Sequence, residues 1–574
     1  MREILHEVDF CVVGGGLAGM CAAVSAARRG IKTALIQDRP VLGGNASSEI
    51  RMHVCGAHGR NNRETGIIEE IVLKNAYRNP TGNYFIWDSV FYETVRFEPN
   101  ITLLLNTSCL SLEKNGNRIV SVKGWQLTTQ TWHTVKATLF SDCSGDSILA
   151  PLSGAEFRMG REARSEFDED IQPEIADTKT MGMSCILQAR KTDKPSKFIP
   201  PSWAYSYPTE EKFEHRGHDI SHRITNYWWI EVGGEGHSIH NTEESRDELL
   251  KIAFGVWDHI KNYGDHDAEN WELEWVGFLP GKRESRRYIG DLILTQNHVR
   301  AEGRFEDLIA YGGWSMDDHH PAGFYCDCEQ TIFHPAPSPY GIPYRSLYSR
   351  NIDNLFFAGR NISVTHAALS STRVMATCAT LGQAVGTAAA IAIRENTGPR
   401  GVYENHIHTL KQELMDDDAY LPFNSRTVPT LSKNAKFTSS EGDPEVLRNG
   451  IDRPIGETEN LWTSSPGEWI EYSFEEPVHI NRARIIFDSS LNRFSRMPCS
   501  YPIQVPLCAP ETLTRSFKLE AKKEDGSWEN IYQCDNNHQR LVKVKLDIKT
   551  TAIRLVPLET WGAEKAGLFA FDVR

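Results

Sequence analysis

Two histidines have the residue type and the surroundings to move a proton. His366 lies in a loop between a predicted strand and a helix predicted to start near Ser371, and His53 lies in SSEIRMHVCG. A histidine suits this role because its pKa lies near neutrality. In an extended chain, Arg51, His53 and Cys55 would share one face and line a pocket. The alternatives are a hydrogen-bonded structural histidine at 366 and a surface loop of alternating polarity around His53.

Arginines form a second set of candidates, since a guanidinium can anchor a polar or anionic substrate. Arg345 lies in IPYRSL, Arg283, Arg286 and Arg287 lie in GKRESRR, and Arg373 follows Ser371 and Thr372. The N–H groups at that predicted helix start could stabilise negative charge. For each arginine the alternative is an ordinary ion pair. The predicted catalytic residues are His366, His53, Arg345 and Arg373.

The segment 319–334, HHPAGFYCDCEQTIFH, could bind a metal through His319, His320, Cys326, Cys328 or His334. Its C-x-C spacing differs from the usual spacing of structural zinc sites, so we predict no metal. A pocket wall in which Asp317 and His320 contact substrate is the preferred interpretation. Trp228, Trp229 and Trp314 could stack on a sugar ring or pack in the core.

These candidates follow a glycine loop. Gly14-x-Gly16-x-x-Gly19 stands between an apolar strand and a small-residue helix, and KTALIQD follows as a second strand. This context favours a dinucleotide fold with the pyrophosphate at the helix start. The second strand delivers Gln37 and Asp38, where an acidic residue usually holds a ribose. Further turns that follow predicted strands, at 42–44, 141–146 and 358–360, favour FAD over NAD, because a long dinucleotide that lies across the whole fold would contact them all.

Composition narrows the function further. The chain has 574 residues and a formal net charge of −14, so no basic footprint for nucleic acid is present. Its 12 cysteines are scattered, which favours reduced thiols. We expect no signal peptide, a cytoplasmic location and no membrane span. The uncharged stretch 374–393 carries small residues every three or four positions, which predicts a closely packed buried helix.

The fold class predicted is α/β. Its parts are an FAD-binding Rossmann-like domain at 1–155 and 346–420, an inserted α+β substrate domain at 156–345, and a C-terminal all-β sandwich at 430–574. The C-terminal boundary follows from segments such as EWIEYSF and INRARIIFD, which recur at strand spacing.

Several motifs together resemble a known family. VVGGGLAGMCAA, LGGN, DCSGD, PGKRESRRYIGD and THAALSSTRVMATCATLGQAVG look like the FAD-dependent oxidoreductases of the glutathione-reductase-like flavoprotein class, over about residues 8–395. The resemblance implies a loop after residue 360 that crosses near the flavin ring. The predicted FAD contacts are Gly14, Gly15, Gly16, Leu17, Ala18, Gly19, Gln37, Asp38, Gly43, Gly44, Asn45, Cys109, Ser144, Gly145, Asp146, Gly359, Arg360 and Thr372.

The C-terminal part resembles galactose-binding-like, discoidin-type β-sandwiches, through N-G-I-D, L-W-T-S and W-I-E-Y-S-F. Loops of such domains often bind carbohydrate, and others serve only as structural lids. The expected function is therefore hydride transfer on a polar small molecule, with a carbohydrate or polyol as the best hypothesis. Redox-neutral sugar elimination or glycosidic cleavage, and a non-catalytic sugar-binding flavoprotein, are the alternatives. The sequence is compatible with a homo-oligomer and does not determine the oligomeric state.

Overall fold

The computed structural model describes residues 2–220 and 226–574, so a short part of the predicted insertion 156–345 lies outside the described residues. The chain divides into two compact units. The larger unit comprises Met1–Ala57, Thr81–Leu410 and Arg496–Pro506, and the smaller unit comprises His58–Pro80, Lys411–Ser495 and Leu507–Arg574. The smaller unit thus differs from the predicted block 430–574, because it includes a stretch from near the N-terminus.

The helices are α1 (Leu17–Arg28), α2 (Ile67–Arg78), α3 (Tyr84–Arg96), α4 (Leu149–Ser153), α5 (Arg164–Phe167), α6 (Thr242–Asn262), α7 (Gln296–Arg300), α8 (His366–Thr372), α9 (Met375–Arg394), α10 (Pro399–Asp416) and α11 (Thr430–Asn434). Short 3-10 turns cover Gly44–Ala46, Glu210–Phe213, Gly323–Tyr325, Tyr344–Ser346 and Pro444–Arg448.

The strands of the N-terminal sheet are β1 (Arg2–Val13), β2 (Thr33–Ile36), β3 (Ile101–Leu104), β4 (Thr107–Asn115), β5 (Arg118–Gln126) and β6 (Thr131–Asp142). Those of the middle region are β7 (Phe157–Arg158), β8 (Met183–Ser184), β9 (Leu187–Lys191), β10 (Glu231–Val232), β11 (Trp271–Val276), β12 (Gly281–Lys282), β13 (Arg287–Tyr288), β14 (Leu308–Gly312), β15 (Met316–His319), β16 (Thr331–His334), β17 (Tyr340–Pro343) and β18 (Leu355–Phe357). The remaining strands are β19 (Lys436–Ser439), β20 (Trp462–Ser464), β21 (Ile470–Phe487), β22 (Ser500–Tyr501), β23 (Thr514–Lys522), β24 (Trp528–Cys534), β25 (Leu541–Thr560) and β26 (Ala566–Val573).

The sheet that carries the glycine loop is parallel in the order β3-β2-β1-β6-β18. The β4–β5 hairpin continues it antiparallel beside the first half of β6. The region before the hairpin turn contains two separate strands, β3 and β4. Asn106 has φ 51°, so the chain turns there and β3 joins β2 instead of β5.

The small-residue helix α9 packs against α1, as predicted. A Cβ added at Gly382 would lie 1.9 Å from the carbonyl oxygen of Ala18, and one at Gly386 would lie 2.1 Å from that of Ala22. Only glycine permits such an approach of two helix backbones. The helix is long and apolar enough to cross a membrane by composition, but 94% of its apolar window is buried inside the protein. The close contacts with α1 explain why this helix is rich in small, uncharged residues, since it lies in the core of the protein.

The helix predicted near Ser371 begins earlier and is interrupted. α8 starts at His366, where the side chain of Thr365 accepts a hydrogen bond from the N–H of Ala368. Ser371 and Thr372 therefore lie at the C-terminal end of α8, and Arg373 is its C-terminal cap. The prediction that the N–H groups of these residues form a helix start is wrong, because α9 begins separately at Met375.

The smaller unit is built on an antiparallel sheet in the order β20-β26-β21-β25-β23-β24, with β19 beside β21. Alternate residues of the long strands face its core, which includes Tyr472, Ile485, Phe517 and Phe571. Leu73 of α2 belongs to the same core. The unit thus contains an antiparallel sheet in its C-terminal part together with helices such as α2 and α11, and the all-β sandwich and its sugar-binding role stay predictions.

Candidate functional site

The segment 281–288, GKRESRRY, connects the polar groups of the larger unit. Lys282 Nζ lies 2.8 Å from Asp146 Oδ2, and Ser285 Oγ donates to Asp146 Oδ1 at 2.8 Å. Between them, Glu284 points to His366 instead. Neighbouring residues of one segment therefore serve the turn that contains Asp146 and the histidine at the start of α8.

His366 is held between two carboxylates. Its Nδ1 lies 2.9 Å from Glu284 Oε2 and its Nε2 lies 3.1 Å from Asp318 Oδ1, and its backbone N–H donates to Glu162 Oε2 at 2.9 Å. The side chain is buried. Burial opposes the charged form, yet Glu284 and Asp318 outweigh it and raise the pKa of His366 to about 10. His366 is therefore an imidazolium at neutral pH.

His319 repeats this arrangement in the same region. Its Nδ1 lies 2.7 Å from Glu231 Oε2 and its Nε2 lies 3.2 Å from Asp317 Oδ2. Burial works against protonation, but the two carboxylates raise the pKa of His319 above its ordinary value. Arg373 completes the cluster, since its Nη2 lies 2.8 Å from Asp317 Oδ2. Despite burial, His319 and Arg373 hold the pKa of Asp317 well below its usual range.

Asp318 is the least buried carboxylate that contacts these two histidines, with 20% of its side chain exposed. Burial would raise its pKa, but the hydrogen bond and charge of His366 lower it. The order Glu284–His366–Asp318 thus runs from a fully buried acid to one that solvent reaches. Trp228 is half-buried and its ring centroid lies 5.3 Å from that of His319, edge to face. Such a set can bind hydroxyl groups and pass on a proton.

His53 lies in a different environment. It is buried, and its nearest polar contacts are Asn226 Nδ2 at 3.5 Å and Cys499 Sγ at 3.8 Å. Burial, helped by the charge of Arg496, lowers the pKa of His53 to about 3. His53 is therefore a neutral imidazole, in contrast to His366.

The extended face predicted for Arg51, His53 and Cys55 is not formed. Arg51 has φ 59°, so the chain bends there, and its guanidinium packs 4.5 Å from the ring of Trp275 and donates to Gln188 at 2.8 Å. With Tyr84, it borders a cavity of about 190 Å³. Arg51 is thus held by an aromatic and an amide partner.

The other predicted arginines have carboxylate partners. Arg345 makes a two-pronged pair with Asp307, with both N···O distances 3.0 Å, and it shows no contact with the His366 cluster. Arg287 lies 3.0 Å from Glu162, and Arg283 lies 3.4 Å from Glu231. Arg286 donates to the carbonyl oxygen of Asp146. Arg283, Arg287 and Arg373 are brought to the cluster as buried partners of its acids.

Two further predictions have a structural answer. Trp229 belongs to the hydrophobic core of the middle region, so it does not stack on a ligand, and Trp314 uses its backbone oxygen to bind Ser371. Cys326 and Cys328 form a disulfide, with Cα atoms 5.2 Å apart. The expectation of reduced thiols is wrong for this pair, because a single intervening residue brings the two side chains together.

The glycine loop has the shape of a phosphate cradle. Gly14 and Gly19 allow close packing, since a Cβ at Gly14 would lie 2.4 Å from the backbone of Cys143 and one at Gly19 would lie 1.8 Å from Gly14. A Cβ at Gly16 would instead come no closer than 3.9 Å to the Cα of Gly44, and Gly16 forms a β-bridge with Gly43. No side chain caps α1, so the first N–H groups of the helix, at Leu17 and Ala18, are left for a ligand or solvent.

Gln37 supports the same loop. Its Oε1 accepts from the N–H of Gly15 at 2.7 Å, and its Nε2 donates to the carbonyl of Val41 at 3.1 Å. Asp38 is exposed. The side-chain amide of Gln37 thus holds the glycine loop in place. The carboxylate at this strand end, where an acidic residue usually holds a ribose, is that of Asp38.

The other predicted cofactor residues surround Asp146. Arg360 Nη2 pairs with Asp146 at 2.8 Å; despite burial, Arg360 and Lys282 lower the pKa of Asp146 to about 2. Gly145 lies against the Arg360 guanidinium. Three residues have structural partners in place: Ser144 Oγ donates to Asp142, Asn45 donates to the carbonyl of Lys282, and Cys109 is buried in β4. Gly43, with Gly44, faces the glycine loop, and Gly359 precedes Arg360.

Two buried polar atoms at these positions have no protein partner, namely Arg360 Nε and Thr372 Oγ1. Unpaired buried polar atoms also occur elsewhere among the described residues, for example Trp257 Nε1 and Ser464 Oγ, so these two atoms alone do not mark a ligand site. Together with the open side of Gly16 and the uncapped start of α1, they fit an elongated dinucleotide such as FAD. The residues present therefore match the cofactor that the motifs imply.

Sequence reasoning missed the acids that set the histidine charges. Glu284 stood in a quoted motif without a role, Asp318 stood beside the named Asp317, and Glu231 and Glu162 carried no signal. A buried acid is recognisable only by its partner, and these partners are far away in sequence. The DDHH run at 317–320 was the one local hint.

Comparisons with solved structures give distant likenesses. The family 32 carbohydrate-binding module from Streptococcus pneumoniae EndoD is 14% identical, with a TM-score of 0.20, over 25% of this chain and 97% of that one. The family 32 module of Clostridium perfringens NanJ, in complex with galactose, is 8% identical, with a TM-score of 0.19, over 25% and 95%. A geranylgeranyl bacteriochlorophyll reductase-like protein from Thermoplasma acidophilum is 12% identical, with a TM-score of 0.31, over 72% and 85%. Likenesses this distant establish no shared substrate.

A search of curated proteins found no match. A family model described as FAD dependent oxidoreductase matches residues 9–414, which is most of the chain. The expected enzyme class and cofactor are thereby confirmed, whereas the glutathione-reductase-like class stays a prediction. The chain belongs to the FAD dependent oxidoreductase family.

Proposed function

We propose that this oxidoreductase transfers hydride to or from a polar small molecule, a carbohydrate or polyol, at the cluster around His366. The observation that carries the proposal is the segment 282–285. It binds Asp146, which we assign to the FAD site, and through Glu284 it binds His366. Adjacent residues of one segment thus hold both Asp146, at the proposed cofactor site, and His366, in the proposed proton-transfer cluster.

The substrate class rests on the chemistry of the cluster. Asp318 offers a partly exposed carboxylate, which accepts hydrogen bonds from hydroxyl groups. Trp228 offers a half-buried ring beside His319, against which the apolar face of a sugar can pack. A cluster that includes a partly exposed carboxylate and a half-buried aromatic ring has a composition that suits a polyhydroxylated ligand.

In the oxidation direction, a substrate hydroxyl gives its proton to Asp318 and becomes a carbonyl as its carbon loses hydride. FAD, when bound, supplies the hydride acceptor. His366 is already protonated and both its nitrogens are engaged, so it acts as a positioning residue that orients Asp318 and keeps it ionised. Glu284 in turn fixes the ring of His366. Asp318, and not His366 as the sequence analysis expects, is thus proposed as the direct base.

The cofactor contacts are proposed as follows. Gly14–Gly19 hold the pyrophosphate at the start of α1, Asp38 contacts the ribose, and Gly43 and Gly44 border the flavin side. Asp146, Arg360 and Thr372 contact the remainder, and the unsatisfied atoms of the last two support this assignment.

The test is anaerobic mixing of the flavin-loaded enzyme with a panel of sugars and polyols, followed at the oxidised flavin band. Bleaching with formation of a carbonyl product supports the proposal. Product formed without net bleaching would show redox-neutral elimination or cleavage. Ligand binding with neither bleaching nor product would show a non-catalytic sugar-binding flavoprotein, and no response to any of these ligands would overturn the substrate class.

A further inference from the structure

Three histidines and a glutamate converge at a second place in the larger unit. Glu210 begins a short 3-10 turn, His218 follows in the next loop, His259 lies in the last turn of α6, and His266 lies in the loop after that helix. One ligand atom from each of the four lies within 4.8 Å of the others. None of them belongs to the His366 cluster.

The ring orientations show which nitrogen of two histidines faces the centre. His259 Nδ1 lies 2.7 Å from the carbonyl oxygen of Tyr207, and His218 Nδ1 lies 2.9 Å from that of Arg216. A carbonyl oxygen only accepts, so each Nδ1 carries a hydrogen. In the neutral ring, Nε2 then presents a lone pair, and both Nε2 atoms face the carboxylate of Glu210. Lone pairs that face a carboxylate repel unless a proton or a metal cation lies between them.

The distances match a tetrahedral metal site. His259 Nε2 lies 3.2 Å from His266 Nε2 and 3.2 Å from Glu210 Oε1, and His266 Nε2 lies 3.3 Å from the same oxygen. A zinc ion with ligands at about 2.0–2.1 Å separates neighbouring ligand atoms by roughly 3.3–3.4 Å in a tetrahedron. Three ligand atoms therefore already form one face of such a site.

His218 provides the fourth ligand. Its Nε2 lies 3.3 Å from Glu210 Oε2, and its ring centroid lies 4.8 Å from that of His266. The hydrogen bonds from Nδ1 of His218 and His259 to backbone carbonyls are those that usually orient metal-bound imidazoles. His259 is also held by Phe213, whose ring stacks on it at 4.4 Å.

We propose that Glu210, His218, His259 and His266 bind a zinc ion. Imidazole nitrogens with one carboxylate suit a borderline divalent metal of this kind, and four protein ligands are typical of a structural site. The ion ties the segment 210–218 to the C-terminal end of α6. It has no part in hydride transfer, so its loss lowers stability before it lowers the rate.

The experiment measures zinc binding to the flavin-loaded enzyme after dialysis against a chelator. ZnCl₂ is titrated against a colorimetric competitor, for the wild type and for His266→Ala and Glu210→Gln, whose side chains are partly exposed. We expect equimolar zinc in the wild type and an affinity at least ~100-fold weaker in His266→Ala, since loss of a ligand exceeds the 10–100-fold cost of losing a supporting partner. Glu210→Gln should weaken binding by about 10-fold or more.

His408→Ala is the matched control, since His408 is an exposed histidine of α10 in the larger unit. It should bind zinc as the wild type does. Flavin content and circular dichroism check that each variant is folded, and Co²⁺ in place of Zn²⁺ should give the visible bands of a tetrahedral site. Absence of zinc in the wild type would overturn the proposal. So would equal affinity in His266→Ala and the wild type, which would place the metal elsewhere in the chain.

Discussion

His366 and His53 are both buried histidines of the larger unit, 1% and 6% exposed, and the sequence offers both for proton transfer. Their pKa values nevertheless move in opposite directions, to about 10 and about 3. Burial lowers the pKa of both, so the difference comes from the carboxylates of Glu284 and Asp318 beside His366. Among the described residues, the polar contacts of His53 are instead the amide of Asn226 and the thiol of Cys499. Buried histidines are therefore distinguished by their partners, and the following changes test that distinction.

Asp318→Asn should have the largest effect. The amide keeps the shape of the side chain but cannot accept a substrate proton, so we expect kcat for flavin reduction to fall by about 10²–10⁴-fold. Stopped-flow measurement of the flavin band under anaerobic conditions checks this. The isosteric change at an exposed acid of the same unit, Asp327→Asn, is the control and should leave the rate unchanged. An unchanged rate in Asp318→Asn would remove Asp318 from the mechanism.

His366→Gln should lower kcat less, by roughly 10–100-fold, because Asp318 remains but loses the cation that orients it and lowers its pKa. The acid limb of the rate profile gives the specific readout. Without the imidazolium, the pKa of Asp318 rises, and the acid limb of kcat against pH should move to higher pH. A fall in kcat with no movement of that limb would indicate a purely structural role for His366.

Stability against pH should separate the two histidines by sign. The pKa of His366 is raised in the fold, so its contribution is complete below about pH 6.5 and is lost as pH rises towards 10. The pKa of His53 is lowered, so its contribution is complete above about pH 6.5 and is lost as pH falls towards 3. Each limb has a limiting slope of about 1.4 kcal/mol per pH unit.

Urea unfolding of the wild type and of His53→Gln, from acid to alkaline pH, measures both limbs. The variant should lose part of the acid slope and keep the alkaline one. If its acid slope equals that of the wild type, His53 already carries a proton in the fold and the contrast with His366 fails.

The smallest effect is expected on catalysis by His53→Gln. A neutral histidine that contacts an amide and a thiol does not support Asp318, so kcat should change by less than about twofold at neutral pH. The same stopped-flow assay checks it. A loss as large as that of His366→Gln would make His53 the proton acceptor after all.

Local patterns predicted the parts of the molecule whose partners are near in sequence. The glycine loop, the first strand–helix–strand unit and the packed helix at 375–394 depend on spacing within short segments, and the structure contains all three. His366 was found because it follows a strand and a glycine turn. The acids beside it were not, since Glu284 and Asp318 reach it from 82 and 48 residues away.

The same reason hid the zinc candidate and the start of α8. Glu210, His218, His259 and His266 have no motif spacing, and only folding brings them together. Thr365 caps α8 at His366, and because threonine is a preferred residue at helix starts, this boundary has a signal in the sequence. The extended face at 51–55 failed because one residue, Arg51, has a positive φ that no alternation of side chains reveals.

The helix α2 has a consequence for how the protein is made. It contributes Leu73 to the core of the smaller unit, whose other members come from the C-terminal part of the chain. At about 5–20 residues per second, a ribosome needs on the order of tens of seconds to make the roughly 330 residues in between. Throughout that time the apolar side of α2 has no core to join, which makes this short early segment a natural client for a chaperone during synthesis.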